Sequence, residues 1–143
     1  MKKKLRLSKK ILFPVSIPNI TKDDILSVNK SLKSGWISSD GPDVKKFESK
    51  FSKYVNRKYS VAVSSGTAAL EIAVKAIGIK KNDEVLIPNF TIISNALAVI
   101  RQDAKPVLID CNFEDWNIDL DELEKKITKK TKAIIVTHIY SFP

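Results

Sequence analysis

The sequence predicts an α/β fold, with a mainly parallel sheet covered by helices on both faces. Three observations predict it. Short apolar runs, Val61-Ala62-Val63, Val85-Leu86-Ile87, Val107-Leu108-Ile109 and Ala133-Ile134-Ile135-Val136-Thr137, have the length and composition of buried strands. Stretches of helical period separate them. Polar or proline-bearing breaks, Ser64-Ser65-Gly66, Pro88, Asp110 and His138, stop each run. Four strands alternating with helices argue for crossover connections, and hence for a parallel sheet.

Taken in order, residues 1–12 read as a basic, flexible leader, and residues 13–143 as one folded unit. Pro14 and Pro18 hold the next segment extended. Thr21 opens a helix, with Asp24 as its capping-box partner and Ile25, Val28 and Leu32 as its apolar stripe. Ser34-Gly35 ends it. A loop, Trp36 to Pro42, leads to a second amphipathic helix from Val44 to about Val55, with Phe47, Phe51 and Tyr54 or Val55 facing inward. The first apolar run follows, then a helix over Thr67–Ile77. On it Leu70, Ala73, Val74 and Ile77 share one face, and Glu71 pairs with Lys75. A strand stops at Pro88, and Ser94–Arg101 reads as a helix. After the third run, Asp119 caps a short helix carrying Leu123 and Ile127, with Glu122 at the capping-box position.

Composition bounds the function. The 143 residues fit one domain, and 43% hydrophobic with 29% charged residues is ordinary for a globular protein. The net charge of +9 raises the question of nucleic acid. However, Lys2, Lys3, Lys4, Arg6, Lys9 and Lys10 concentrate it in the leader, and the other lysines are interspersed with acids on helices. No apolar run reaches the ~20 residues of a membrane span. The leader lacks the long apolar core of a signal peptide, because Pro14 interrupts it. A single cysteine, Cys111, gives no disulfide framework and no cysteine metal site. The cytoplasm is the expected compartment. The lone His138, at a strand end, reads as structural, and no metal site is expected.

The strand-turn-helix around Ser64-Ser65-Gly66-Thr67-Ala68 carries the chemistry. A helix starting there aims free N–H groups and a positive dipole end at the turn, and the hydroxyls add donors, which suits a phosphate. Gly66 offers backbone freedom and room for a ligand. A plain capped turn fits the same residues. Neither the P-loop nor the Gly-x-Gly-x-x-Gly spacing is present.

The turn belongs to an ordered series. It begins Pro14-Val15-Ser16-Ile17-Pro18, Ser34-Gly35-Trp36-Ile37-Ser38-Ser39 with Gly41-Pro42, and Ser65-Gly66-Thr67-Ala68-Ala69-Leu70. Asp83-Glu84-Val85-Leu86-Ile87-Pro88, Lys105-Pro106-Val107-Leu108-Ile109-Asp110, Trp116-Asn117-Ile118-Asp119 and His138-Ile139-Tyr140 complete it. In this order and spacing the chain resembles the DegT/StrS-type family of pyridoxal-phosphate (PLP)-dependent nucleotide-sugar aminotransferases, with a perosamine-synthase-like subgroup in view. The match runs from about Phe13 to Pro143 and corresponds to the N-terminal portion of the family's length.

The resemblance implies a truncated PLP-dependent transferase large domain of fold type I, the aspartate aminotransferase-like fold. It implies that Gly66, Thr67 and Ala68 cradle the phosphate of PLP and that Ile92 covers the ring, by dispersion rather than π-stacking. It implies that Trp36 and Ser38 lie in a substrate-side loop. The expected reaction moves an amino group from an amino acid, glutamate by expectation, to a nucleotide-linked 4-keto-6-deoxy sugar for polysaccharide or glycan synthesis, in a homodimer. The family places the Schiff-base lysine and the carboxylate for the pyridine nitrogen beyond Tyr140. No catalytic residue is therefore assigned, and the chain is expected to be a fragment or truncated product, inactive and aggregation-prone alone. Three departures stand out: Ile92 where the family commonly has an aromatic or another bulky residue, Asn95-Ala96-Leu97 where the family often continues Thr-Ala-Asn, and Ser141 for the usual glycine. The alternatives are a catalytically dead relative keeping phosphate or nucleotide-sugar binding, another doubly wound enzyme using Gly66-Thr67 for a different phosphate, and a basic nucleic-acid-binding module. The last predicts binding that salt weakens and that deletion of residues 1–10 abolishes.

Overall fold

A computed structural model describes residues 16–141. The basic leader assigned to residues 1–12 lies outside the described residues. The chain divides into two units, one up to Ala62 and one from Val63.

In the first unit, helix α1 (Lys22–Ser34) begins with the capping box the sequence predicts. The Asp24 N–H donates to Thr21 Oγ1 at 3.2 Å, and the Thr21 N–H donates to Asp24 Oδ2 at 2.8 Å. Gly35, at φ +76°, ends the helix in the left-handed region that glycine takes without strain, and its N–H donates to Leu32 O. Helix α2 (Pro42–Tyr54) starts with proline in its first turn, where no N–H is missed. Ser31 Oγ donates to Asp43 Oδ2 at 2.5 Å, pinning α1 to α2. Both predicted apolar stripes form, but neither is buried. Ile25, Val28, Leu32, Phe47, Phe51, Tyr54 and Val55 are all exposed, and Phe47 and Phe51 stack on each other at 5.7 Å.

The predicted first strand does not form. Val61–Val63 has no strand pairing, and Val61 is 77% exposed. A strand exists only where a neighbour accepts its main-chain bonds. Here the Ala62 N–H donates instead to the Glu48 carboxylate at 2.8 Å, while Ser60 Oγ donates to Glu48 O.

The second unit runs α3 (Gly66–Ala76), β1 (Glu84–Pro88), α4 (Ser94–Ile100), β2 (Lys105–Ile109), α5 (Leu120–Lys126), β3 (Thr131–Ile134) and a short turn at Ile139–Ser141. The sheet has the order β2-β1-β3, with both pairings parallel. Alternation along β1 divides the core. Val85 and Ile87 point into a layer with Val74 of α3 and Ala98 and Val99 of α4. Leu86 packs with Ile109 and Ile118 on the other face, where Leu123 of α5 covers them. The sheet is thus covered on both faces, as the alternation predicts.

Three details differ from the sequence reading. β2 is an edge strand, and its Leu108 is exposed rather than buried. β3 starts and stops earlier, although the Ile135 N–H still donates to Leu86 O at 2.9 Å. Glu71 pairs with Arg101 at the end of α4 instead of with Lys75, so it ties two helices rather than two turns of one.

Glu84 anchors the amino end of the sheet. Its Oε2 accepts from Thr128 Oγ1 at 2.6 Å, and Lys105 Nζ lies 3.6 Å from Oε1. The Thr128 hydroxyl, with Lys105 and Lys130 adding in the same sense against partial desolvation, holds this carboxyl below the ordinary glutamate range.

Two predictions follow from this packing. Leu86→Ala is expected to lower the unfolding free energy by about 3 kcal/mol, against a change within about 0.5 kcal/mol for Tyr54→Ala, as read by urea denaturation. Because the folded pKa of Glu84 is depressed, its stabilisation is complete above the unfolded value of ~4.3 and is lost as pH falls through the folded value. Urea midpoints should therefore fall on acidification below that range, and Glu84→Gln should flatten this acid limb. An unchanged limb would show that Glu84 carries none of it.

Candidate functional site

The carboxyl ends of parallel strands gather the loops of an α/β unit at one edge, where ligands bind. Helix α3 begins at this kind of turn. Ser65 is its N-cap, and its Oγ accepts from the Ala68 N–H at 3.2 Å. The Ala69 N–H donates to Ser65 O, the first bond of the helix ladder. Among the described residues, the Gly66 and Thr67 N–H groups donate to no protein acceptor. They are the orphan donors of the helix terminus.

Gly66 does not serve the way backbone freedom suggests. Positive φ among the described glycines occurs only at Gly35 and Gly78. A Cβ placed on Gly66 meets no protein atom within 4 Å. What glycine contributes is open space at the helix start that carries these two free N–H groups. That arrangement fits a phosphate group: two main-chain donors, a positive dipole end and no side chain in the way.

The structure joins Thr67 to a residue that the sequence did not single out. Thr67 Oγ1 lies 2.8 Å from Ser94 Oγ, at the first residue of α4. Ser94 is buried, and Asn95 beside it is only 3% exposed. Asn95 Nδ2 donates to Thr91 Oγ1 at 3.0 Å and to Thr137 Oγ1 at 2.8 Å. The loop after β1 is therefore fastened to the segment after β3. Three polar side chains in the stretch between β1 and the first turn of α4 (Thr91, Ser94, Asn95) were a readable signal, but their partners were not.

Ile92 lines a cavity of about 330 Å³ with Ile87, Pro88, Thr91 and Ile93, and with Pro106 and Leu108 of β2. Ile92 is 65% exposed. Gly66, Thr67 and Ala68 are not among the residues lining this cavity, and neither is any lysine. Trp36 and Ser38 belong to the first unit. Trp36 lines an open groove with Lys30, Ser31, Asp43 and Lys46, and Ser38 O accepts the Gly41 N–H at 3.2 Å. Gly41 is buried there, and a Cβ on it would lie 3.3 Å from Ser38 O. His138 is exposed, and its carbonyl closes the turn to the Ser141 N–H. Among the described residues there is no cluster of three metal-ligating side chains, and no helix is long and apolar enough to cross a membrane.

Known proteins resemble this chain in sequence and in shape. The chain is 41% identical over 130 residues to GDP-perosamine synthase of Escherichia coli O157:H7, covering 91% of this chain and 36% of that protein. It is 43% identical over 125 residues to the spore coat polysaccharide biosynthesis protein SpsC of Bacillus subtilis (strain 168), covering 87% and 32%. Its fold matches the PLP form of Spr1654 from Streptococcus pneumoniae, named as a sugar aminotransferase. That match has a TM-score of 0.76 and 36% identity, over 85% of this chain and 31% of that one. The chain spans about a third of the length of the relatives it matches. Residues 18–142 match the DegT/DnrJ/EryC1/StrS aminotransferase family, and the chain belongs to it.

Proposed function

We propose that residues 13–143 form the N-terminal part of the PLP-binding domain of a sugar aminotransferase, and that this part supplies the cofactor's phosphate site. The observation that carries the reading is the open terminus of α3, with two free N–H groups beside a glycine whose missing Cβ leaves the approach clear. Gly66 and Thr67 would hold the phosphate through their N–H groups, and Ala68 completes the turn through its bond to Ser65. The Thr67 hydroxyl is oriented by Ser94. Ile92 would cover one face of the ring by dispersion. When bound, the cofactor supplies an electron sink for moving an amino group between carbon skeletons.

The substrates belong to the same proposal. The amino group comes from an amino acid, with glutamate as the expected donor. The acceptor is a nucleotide-linked keto-deoxysugar of polysaccharide or glycan synthesis, handled by a homodimer. Trp36 and Ser38 are proposed to face that substrate. Amino transfer also requires a lysine for the Schiff base and a carboxylate for the pyridine nitrogen. We assign neither to this chain, and we propose that alone it binds without turning over.

The test uses pyridoxamine 5′-phosphate, which cannot form imines with surface lysines, against pyridoxamine. Calorimetric titration of the chain should show the phosphate form binding about tenfold or more tightly. Gly66→Ala should abolish that preference without lowering stability, because the added methyl meets no protein atom. Equal affinities, or a preference that survives Gly66→Ala, would remove the phosphate site.

A further inference from the structure

A second cavity, of about 290 Å³, opens among Phe90, Asp115, Trp116, Ile139 and Tyr140. Each of the three strands delivers one aromatic residue to it. Phe90 follows β1, Trp116 follows β2, and Tyr140 follows β3. Parallel pairing brings those three loops to the same edge. The Phe90 and Trp116 ring centroids are 5.6 Å apart with planes tilted by 52°. Phe90 lies two residues from Ile92, so one loop serves both cavities.

The walls are held by a bonded scaffold. Asn112 Oδ1 accepts from the Glu114 and Asp115 N–H groups at 3.0 Å, and Asp115 Oδ1 accepts from the Asn117 N–H at 2.9 Å. Cys111 and Ile118 close the loop with an isolated antiparallel bridge. The Ile139 N–H donates to Asn117 Oδ1 at 3.4 Å, which ties the turn carrying Tyr140 to the loop carrying Trp116. Trp116 at φ +64° and Tyr140 at φ +52° both sit in the left-handed region, which costs bulky residues energy. Such strain persists where surrounding structure enforces it, and it clusters at ligand sites.

Flat aromatic walls suit a flat aromatic guest. Asp115 lines the same cavity, and an ionised carboxylate only accepts hydrogen bonds. The Asn117 N–H holds the Asp115 carboxyl below the usual carboxylate range, so it is ionised at neutral pH. A guanine ring offers two N–H donors on one edge. An adenine edge alternates donor and acceptor.

We propose that the Phe90–Trp116–Tyr140 cavity takes the guanine base of a nucleoside-diphosphate sugar, with Asp115 reading the guanine N–H edge. The assignment rests on the nucleotide-sugar reading above and names the part of the substrate that this chain recognises. Stacking on Trp116 supplies affinity, and Asp115 supplies the choice of base.

The test titrates the full 143-residue chain with guanosine, adenosine and ribose by calorimetry, so that no probe carries a phosphate for the α3 terminus. Guanosine should bind about tenfold or more tightly than adenosine, and ribose should give no heat at the same concentrations. Trp116→Ala should weaken guanosine about tenfold, Trp116→Phe should keep it within about threefold, and Asp115→Asn should bring guanosine to the level of adenosine. Equal binding of guanosine and adenosine, binding of ribose, or indifference to Trp116→Ala would overturn the proposal. Binding of pyridoxamine 5′-phosphate without guanosine would overturn this site and leave the cofactor reading standing. Guanosine binding without the phosphate preference would do the reverse.

Discussion

Strand β1 must satisfy its main chain on two edges and cover its side chains on two faces at once. It does so because β2 and β3 both pair with it in parallel and helices lie over each face. All five of its residues are buried. That demand places the loops after β1, β2 and β3 at one edge of the sheet, since parallel strands end on the same side. The Ile92 cavity and the aromatic cavity are both products of this arrangement. Removing the pairing of β1 would remove both.

The polar contacts at that edge do a different job from the apolar core. Asn95 is almost fully buried, and both of its amide bonds go to threonine hydroxyls. Each such bond is worth about 1 kcal/mol net, but a buried amide left unpaired costs about 1–3 kcal/mol. The pair of bonds therefore fixes where the loop runs more than it adds stability. The Thr67–Ser94 bond works alike between the starts of α3 and α4. Both helix starts then hold fixed positions before any ligand arrives, which lowers the ordering cost of binding.

Local chemistry was legible in the sequence, and pairing was not. The capping box of Thr21 and Asp24, the Gly35 stop and the Asp119 cap depend on residues within a few positions of each other, and all three appear as read. The crossover pattern and the sheet covered on both faces follow equally from alternation. Val61–Val63 failed because apolar, β-favouring residues make a strand only beside a partner, and the Glu48 carboxylate took the Ala62 N–H. Glu71 has two reachable cations, and only the fold shows that Arg101 is the one it meets. The stripes of α1 and α2 were read correctly as stripes, but a stripe does not state what covers it. At the candidate site, Gly66, Thr67, Ala68 and Ile92 were visible as a turn and a loop. Ser94 and Asn95 needed the fold, because their partners lie 27 and 42 residues away.

The terminus of α3 is proposed to hold a phosphate through main-chain N–H groups. Amide chemical shifts of the isotope-labelled chain, followed while pyridoxamine 5′-phosphate is added, test it at single residues. Saturable shifts centred on Gly66 and Thr67, which inorganic phosphate competes away, are expected. Shifts confined to lysine-rich helix surfaces, with the Gly66 and Thr67 amides unmoved, would contradict it.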